Sequence, residues 1–467
     1  MLIKRRNAML TALFGAGYVG LRAMATGLPA WLIANPRSAK AADLACAITA
    51  KDNLQYLIVS VSSNGDPMSC NAPGTYENTA AIHPQQAEVA RADLMLGGKT
   101  YGAALPWTTL DAATLSRTAF LHHVTLSIVH GDQPKVLRLM GATSGGEMIV
   151  SAYAKRLGPC LGTVQNQPVA VGAGNNASEM LSYSGSSLPS VSPTQLRQLL
   201  TGSGASGGYM SGGSKQSPLV KLRSLRDQEL NKLYALAKSD GTQVQMAFLD
   251  ALANSQTQVR ELADALASTL SMIKDDSVTG QALAAAALIS ANVTPVVTMH
   301  IPFGGDNHND SDLQAEADQT VSGVAGIQTL MTQLSSMSLS DKVTFATLNV
   351  FGRNLNGISK LTASSATGRD HFGDHSVAVM IGKNINAGVY GGIGTFNTSS
   401  NGALGATDID SATGASAPGG DIPRLQSNVS MARTLGVALG IPASDLDADF
   451  NADAGGKVIA AAVKNAS

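Results

Sequence analysis

The sequence predicts an α/β fold: a three-layer α/β/α arrangement around a mainly parallel sheet. Three observations carry this. Helical and strand-like segments alternate along the chain. The strand-like runs NLQYLIVSVSS, VTPVVTMHI, VTFATLNVF and SVAVMIG are near-continuously apolar, as strands covered on both faces must be. Clusters of Asp and His fall next to the ends of those runs, where open α/β sheets build their sites.

The chain has 467 residues, enough for one large α/β domain or two smaller ones. A formal net charge of −1 leaves no electrostatic footprint for nucleic acid, and no basic stripe with interleaved aromatics occurs. Residues 1–41 read as an export signal. Lys4, Arg5 and Arg6 open a Gly/Ala-rich apolar stretch that closes on Ala39-Lys40-Ala41, a small-x-small cleavage site. Arg5-Arg6, with Met9 and Leu10, looks like a twin-arginine signal, so the twin-arginine export machinery is an expected partner. Lys4 departs from the usual Ser or Thr, and Ala8 from the usual aromatic. Arg22, Pro29 and Pro36 interrupt the apolar stretch, so no stable membrane anchor is expected and the mature protein should be periplasmic or secreted. Cys46, Cys70 and Cys160 remain after cleavage; in an oxidising compartment they allow one disulfide and one leftover thiol, with the pairing open.

The mature chain, 42–467, reads as one domain. Residues 53–63, NLQYLIVSVSS, form a buried strand that ends in Asn64-Gly65-Asp66-Pro67. Residues 122–131, HHVTLSIVHG, are a second strand, and His130 either faces the site or merely ends that strand. Residues 134–158 hold one or two helices flanking a Gly-rich turn. A flexible Gly/Ser-rich segment spans 200–217, and a helical insertion covers about 219–275, where apolar residues recur three and four apart. After Gly280 come a helix, the strand VTPVVTMHI, a long helix over about 312–337, the strand VTFATLNVF and the strand SVAVMIG. Residues 443–456, ASDLDADFNADAGG, read as a solvated acidic loop, since Phe450 stands where an EF-hand needs Gly.

Two short stretches hold the concentrated chemistry. GGDNHND (304–310) brings Asp306, His308 and Asp310 into an extended loop after two glycines. GRDHFGDH (368–375) carries Asp370-His371 and Asp374-His375 beside Arg369. Alternating carboxylates and imidazoles are the usual way to hold a divalent metal (zinc, calcium, magnesium or manganese). One or two such ions could serve hydrolysis of a phosphate ester. Plainer readings exist for both: a helix cap from Asp310 and Ser311, the latter in a capping box with Gln314, and a solvated loop at 368–375.

The order of these motifs resembles an exported bacterial family known as domain of unknown function 1501, which belongs with the alkaline phosphatase and sulfatase superfamily. Gly305-Asp306-Asn307-His308, Phe351-Gly352-Arg353, Gly368-Arg369-Asp370-His371 and Gly388-Val389-Tyr390-Gly391 carry the resemblance, and Asp421 with the closing helix SNVSMARTLGVALGIP adds to it. The resemblance implies a sulfatase-like fold with metal ligands at Asp66, Asp306, His308, Asp370 and His371; His375 is a further candidate from its own Asp-His pair. Asn349-Val350 replaces the Ser-Glu that commonly precedes F-G-R. No sulfatase-type C-x-P-x-R follows Cys70, which leaves Thr143 and Ser144, in GATSGGEM at an expected helix start, as candidate catalytic nucleophiles. The expected substrate is a small-molecule or cell-envelope phosphate or sulfate ester; the alternative is a non-catalytic metal-binding envelope protein.

Overall fold

The computed structural model describes residues 46, 48, 51–141, 147–163, 166–172, 182–183, 186–187, 190–201, 232, 235, 267–356, 368–396, 403–449 and 455–464. The expected export signal (1–41), the Gly/Ser-rich segment from 202 onward and nearly all of the helical insertion lie outside them.

Seven strands form the central sheet: β1 Tyr56–Ser62, β2 Thr118–His123, β3 Val169–Ala170, β4 Val296–Met299, β5 Val343–Asn349, β6 Ser376–Ile381 and β7 Gly388–Tyr390. Their order across the sheet is β7-β2-β6-β5-β1-β4-β3. β1 pairs in parallel with β4 and with β5, β3 with β4, and β7 with β2; β6 runs antiparallel to both its neighbours. The sheet is therefore mainly parallel, as predicted.

Both faces of the sheet are apolar, and β1 shows why its run had to be continuous. Leu57, Val59 and Val61 join one core cluster, while Tyr56 and Ile58 join the other. The first cluster takes side chains from helices α1 (Gln133–Gly141) and α2 (Ile149–Leu161); the second takes them from α3 (Val278–Ser290) and α4 (Gln314–Ser336). The closing helix α5 (Ser427–Ala438) packs into the first cluster. Residues alternate along a strand, so a strand covered on both sides loses its polar face.

Four sequence expectations are corrected. The second strand was expected over 122–131, but β2 spans Thr118–His123. Beyond His123 the chain leaves the sheet, because the amides of Thr125 and Leu126 both donate to Gly373 O and Leu126 adopts φ +61°. Next, the 370–375 cluster does not follow a parallel strand: it precedes the antiparallel β6. It still reaches the same sheet edge, because Ser376, the first residue of β6, lies opposite His123, the last of β2. The predicted capping box is also replaced. Asp310 itself caps α4, its carboxylate accepting from Ala315 N at 3.1 Å and Glu316 N at 2.9 Å, while Gln314 N donates to Asp312 rather than to Ser311. Lastly, Ala443–Asp449 is a short helix, tied by an ion pair from Asp447 to Arg433, and not a loop.

The cysteine pairing is settled as Cys46–Cys160. Cys70 is the free, buried thiol, and burial pushes its pKa up to about 12. Among the described residues no helix is long and apolar enough to cross a membrane.

Candidate metal centre

The polar clusters meet at the edge where β1, β2, β4 and β5 end and β6 begins. β4 runs into the loop with Asp306 and His308, β5 into Phe351 and Arg353, and β2 into the segment with His130. Asp370 and His371 lead into β6.

Two imidazoles are oriented by backbone carbonyls. His371 Nδ1 lies 2.7 Å from Ile128 O, and His130 Nδ1 lies 2.7 Å from Ser63 O. A carbonyl can only accept, so each Nδ1 carries the hydrogen, which leaves Nε2 as the ring nitrogen free to act as a ligand. Phe351 packs against both rings, with centroid distances of 5.0 Å to His130 and 4.2 Å to His371. Ligand atoms of His130, Asp306 and His371 all lie within 4.8 Å of one another. His308 completes the group: its Nε2 is 2.9 Å from His371 Nε2 and 3.3 Å from Asp306 Oδ1, and its Nδ1 is 3.5 Å from Asp370 Oδ1.

This donor set fits a divalent metal. It offers imidazole nitrogens and a carboxylate, the second ring nitrogen of two imidazoles is held by a hydrogen bond as metal-binding histidines require, and the Asp306 side chain is half exposed, so the centre opens to solvent. Burial pushes the Asp306 carboxyl up, but the Arg353 guanidinium, then His308 and His130, outweigh it and hold it below the usual carboxylate range. Burial lowers the His371 pKa and favours the neutral ring that a metal needs.

Two buried arginines fix the loops. Arg353 uses all five N–H groups: Nε donates to Gly65 O at 2.6 Å, Nη1 to Asp306 Oδ1 at 3.3 Å and Arg369 O at 3.2 Å, and Nη2 to Asn64 O at 2.9 Å and Gly305 O at 3.3 Å. It ties the loops after β1 and β4 to the segment before β6. Arg369 makes a two-pronged pair with Glu316 on the first turn of α4, at 2.7 and 3.0 Å, and both side chains are fully buried. Glu316 also accepts from Asn71 and Asn307, each at 2.9 Å. Asn307 lies between Asp306 and His308, so the ion pair also anchors that loop.

The structure brings together Asp306, His308, Asp370 and His371, as the sequence suggested. It adds His130, whose sequence context had left two readings open. Asp66 is not among the converging ligand atoms of His130, Asp306 and His371; it is 3% exposed, and burial raises its pKa to about 6 against the lowering influence of His300, Ser62 and Arg353. Its Oδ1 has no hydrogen-bond partner among the described residues. His375 is fully buried, with Nε2 3.0 Å from His122 Nδ1 instead of near Asp306. Thr143 and Ser144 lie outside the described residues. The scaffolding by Glu316 was missed, because a lone Glu early in a helix reads as ordinary surface charge until its buried partner is known.

Residues 211–407 match the model of a family described as "Protein of unknown function (DUF1501)", which supports membership in that family. The span includes both Asp/His clusters and Arg353; Asp66 and His130 precede it. No curated protein matches the chain.

Proposed function

We propose, taking the DUF1501 match as premise, that this is an exported, metal-dependent hydrolase-like protein acting on phosphate or sulfate esters. In this reading its mainly parallel sheet belongs to the three-layer alkaline phosphatase/sulfatase-like arrangement. The observation that carries the proposal is the convergence of the His130 and His371 Nε2 lone pairs on the Asp306 carboxylate. Two imidazole nitrogens and one carboxylate, with the His308 ring beside them, favour zinc over the oxygen-preferring ions calcium, magnesium and manganese. A divalent ion there would polarise an ester oxygen and lower the pKa of nearby water. The protein's own residues hold that geometry. Ser63 O and Ile128 O fix the two rings, Asp370 faces the far nitrogen of His308, and Arg353 holds the Asp306 loop. The Cys46–Cys160 disulfide supports export to an oxidising compartment.

One observation favours the non-catalytic alternative, a metal-binding envelope protein. Arg353, whose guanidinium contacts Asp306, has every N–H engaged by the protein and none left for a substrate oxyanion. The two readings separate in one experiment. The purified protein should contain a divalent metal, chelation should lower its thermal midpoint, and Asp306→Asn should abolish metal content. Turnover in a screen of phosphate and sulfate esters by the metal-loaded protein identifies the hydrolase. Metal without turnover establishes the binding protein. An absence of bound metal, with a midpoint indifferent to chelator, would sink both.

A further inference from the structure

We infer that this centre takes one divalent ion and not two, because Arg353 already supplies the second positive charge. The inference rests on the metal-centre reading above. Three carboxylates approach this sheet edge, on Asp66, Asp306 and Asp370, and by charge alone they would invite a pair of ions. The guanidinium of Arg353 stands between the segments that carry Asp66 and Asp306. It donates to Asp306 Oδ1 at 3.3 Å and, through Nε, to the carbonyl of Gly65, the residue before Asp66, at 2.6 Å. Asp66 and Asp306 both interact electrostatically with it.

That cation is permanent in two senses. A guanidinium stays charged at any pH a folded protein survives. It is also fixed in place, since all five N–H groups are used and the side chain is 0% exposed; swinging it away would strand buried carbonyls without donors. An ion shared by Asp66 and Asp306 would have to sit against this like charge in a poorly solvated space. The ligand atoms that do converge, on His130, Asp306 and His371 with His308 beside them, lie on the more exposed side, where the Asp306 side chain is 49% accessible against 3% for Asp66. Asp66 therefore balances the guanidinium from inside and is not a metal ligand.

Counting ions tests this without reference to any reaction. The purified protein, stripped with chelator and titrated with zinc, should bind one equivalent by native mass spectrometry. Asp306→Asn should lose that equivalent, and the near-isosteric Asp66→Asn should keep it. Two equivalents in the unmodified protein that both need Asp306, or loss of the ion in Asp66→Asn, would overturn the inference. The count on the unmodified protein decides even where Asp66→Asn fails to fold. Binding of no zinc at all would be distinguishable from a count of two, and would remove the metal-centre reading together with this one.

Discussion

Arg369 and Glu316 carry opposite charges in a space closed to water, and each is affordable only because the other is there. Their contacts at 2.7 and 3.0 Å, with Asn71 and Asn307 on the carboxylate and the carbonyls of Asn354 and Ile82 on the guanidinium, leave little polar capacity unused. Removing one partner strands the other, which costs about 3–5 kcal/mol. Arg369→Met should therefore lower the unfolding free energy, read from urea titration, by that amount. It should also weaken metal binding, because Arg369 directly precedes Asp370 and His371. A loss below about 1 kcal/mol would show that water reaches the pair. At this scale Asp306, His308, Asp370 and His371 were legible in the sequence from their density alone. His130 was not, since a single His after an apolar run looks the same whether it faces a site or ends a strand. Only the carbonyl of Ser63, 67 positions away, gives its ring a direction.

Among the elements, the turns decide how closely the loops approach one another. Gly65, between β1 and Asp66, has φ +64°, and a Cβ there would lie 1.7 Å from Phe351 Cε2, the ring that packs against His130 and His371. Gly98, in the hairpin between Arg91–Leu96 and Lys99–Ala104, has φ +79° with nothing within 4 Å. The pair separates backbone strain from crowding. Gly98→Ala should cost only the left-handed backbone penalty, about 1–2 kcal/mol. Gly65→Ala should cost a further 1–3 kcal/mol for overpacking and should loosen the two histidines, reducing metal affinity. Equal urea midpoints for the two variants would mean that Phe351 yields freely and plays no part in placing the rings. Element types were well predicted from apolar runs and their spacing, including α3, α4, β5 and β6, while α5 was expected from the family resemblance. The end of β2 was misplaced because Leu126, Ile128 and Val129 look like strand interior, yet they are 45–57% exposed. Apolarity marked that segment; the hydrogen bonds to Gly373 took it out of the sheet.

For the molecule as a whole, the buried histidines predict sensitivity to acid. Burial pushes His122 and His123, neighbours at the end of β2, from an ordinary 6.5 to about 4, and it lowers His375 further. Folded rings with depressed pKa values resist protons that the unfolded chain accepts. Their contribution to stability is complete above pH 6.5 and is lost as the pH falls toward 4. A fall from 6.5 to about 4 is worth about 3 kcal/mol per ring. Urea unfolding of the metal-free protein should show a steep decline in stability over that window. His122→Gln, retaining a side chain able to bond Pro73 O, should flatten the slope by about one proton. A profile unchanged by that substitution would mean that the ring titrates normally in the folded state.

What the sequence determined by itself was the α/β class, the mainly parallel sheet and the two polar clusters that supply most of the candidate centre. These are local properties: apolar runs, their spacing, and the density of Asp and His in a few positions. What only the tertiary structure decided was which of those groups meet. The antiparallel β6 delivers Asp370 and His371 to the common edge from the opposite direction, and the β2 loop contributes His130. Arg353 ties the loop before Asp66 to the loop of Asp306, and His375 meets His122. Each outcome depends on residues tens to hundreds of positions apart coming within hydrogen-bond reach. No local pattern encodes that, because it is the packing of the sheet and its loops that brings those residues together.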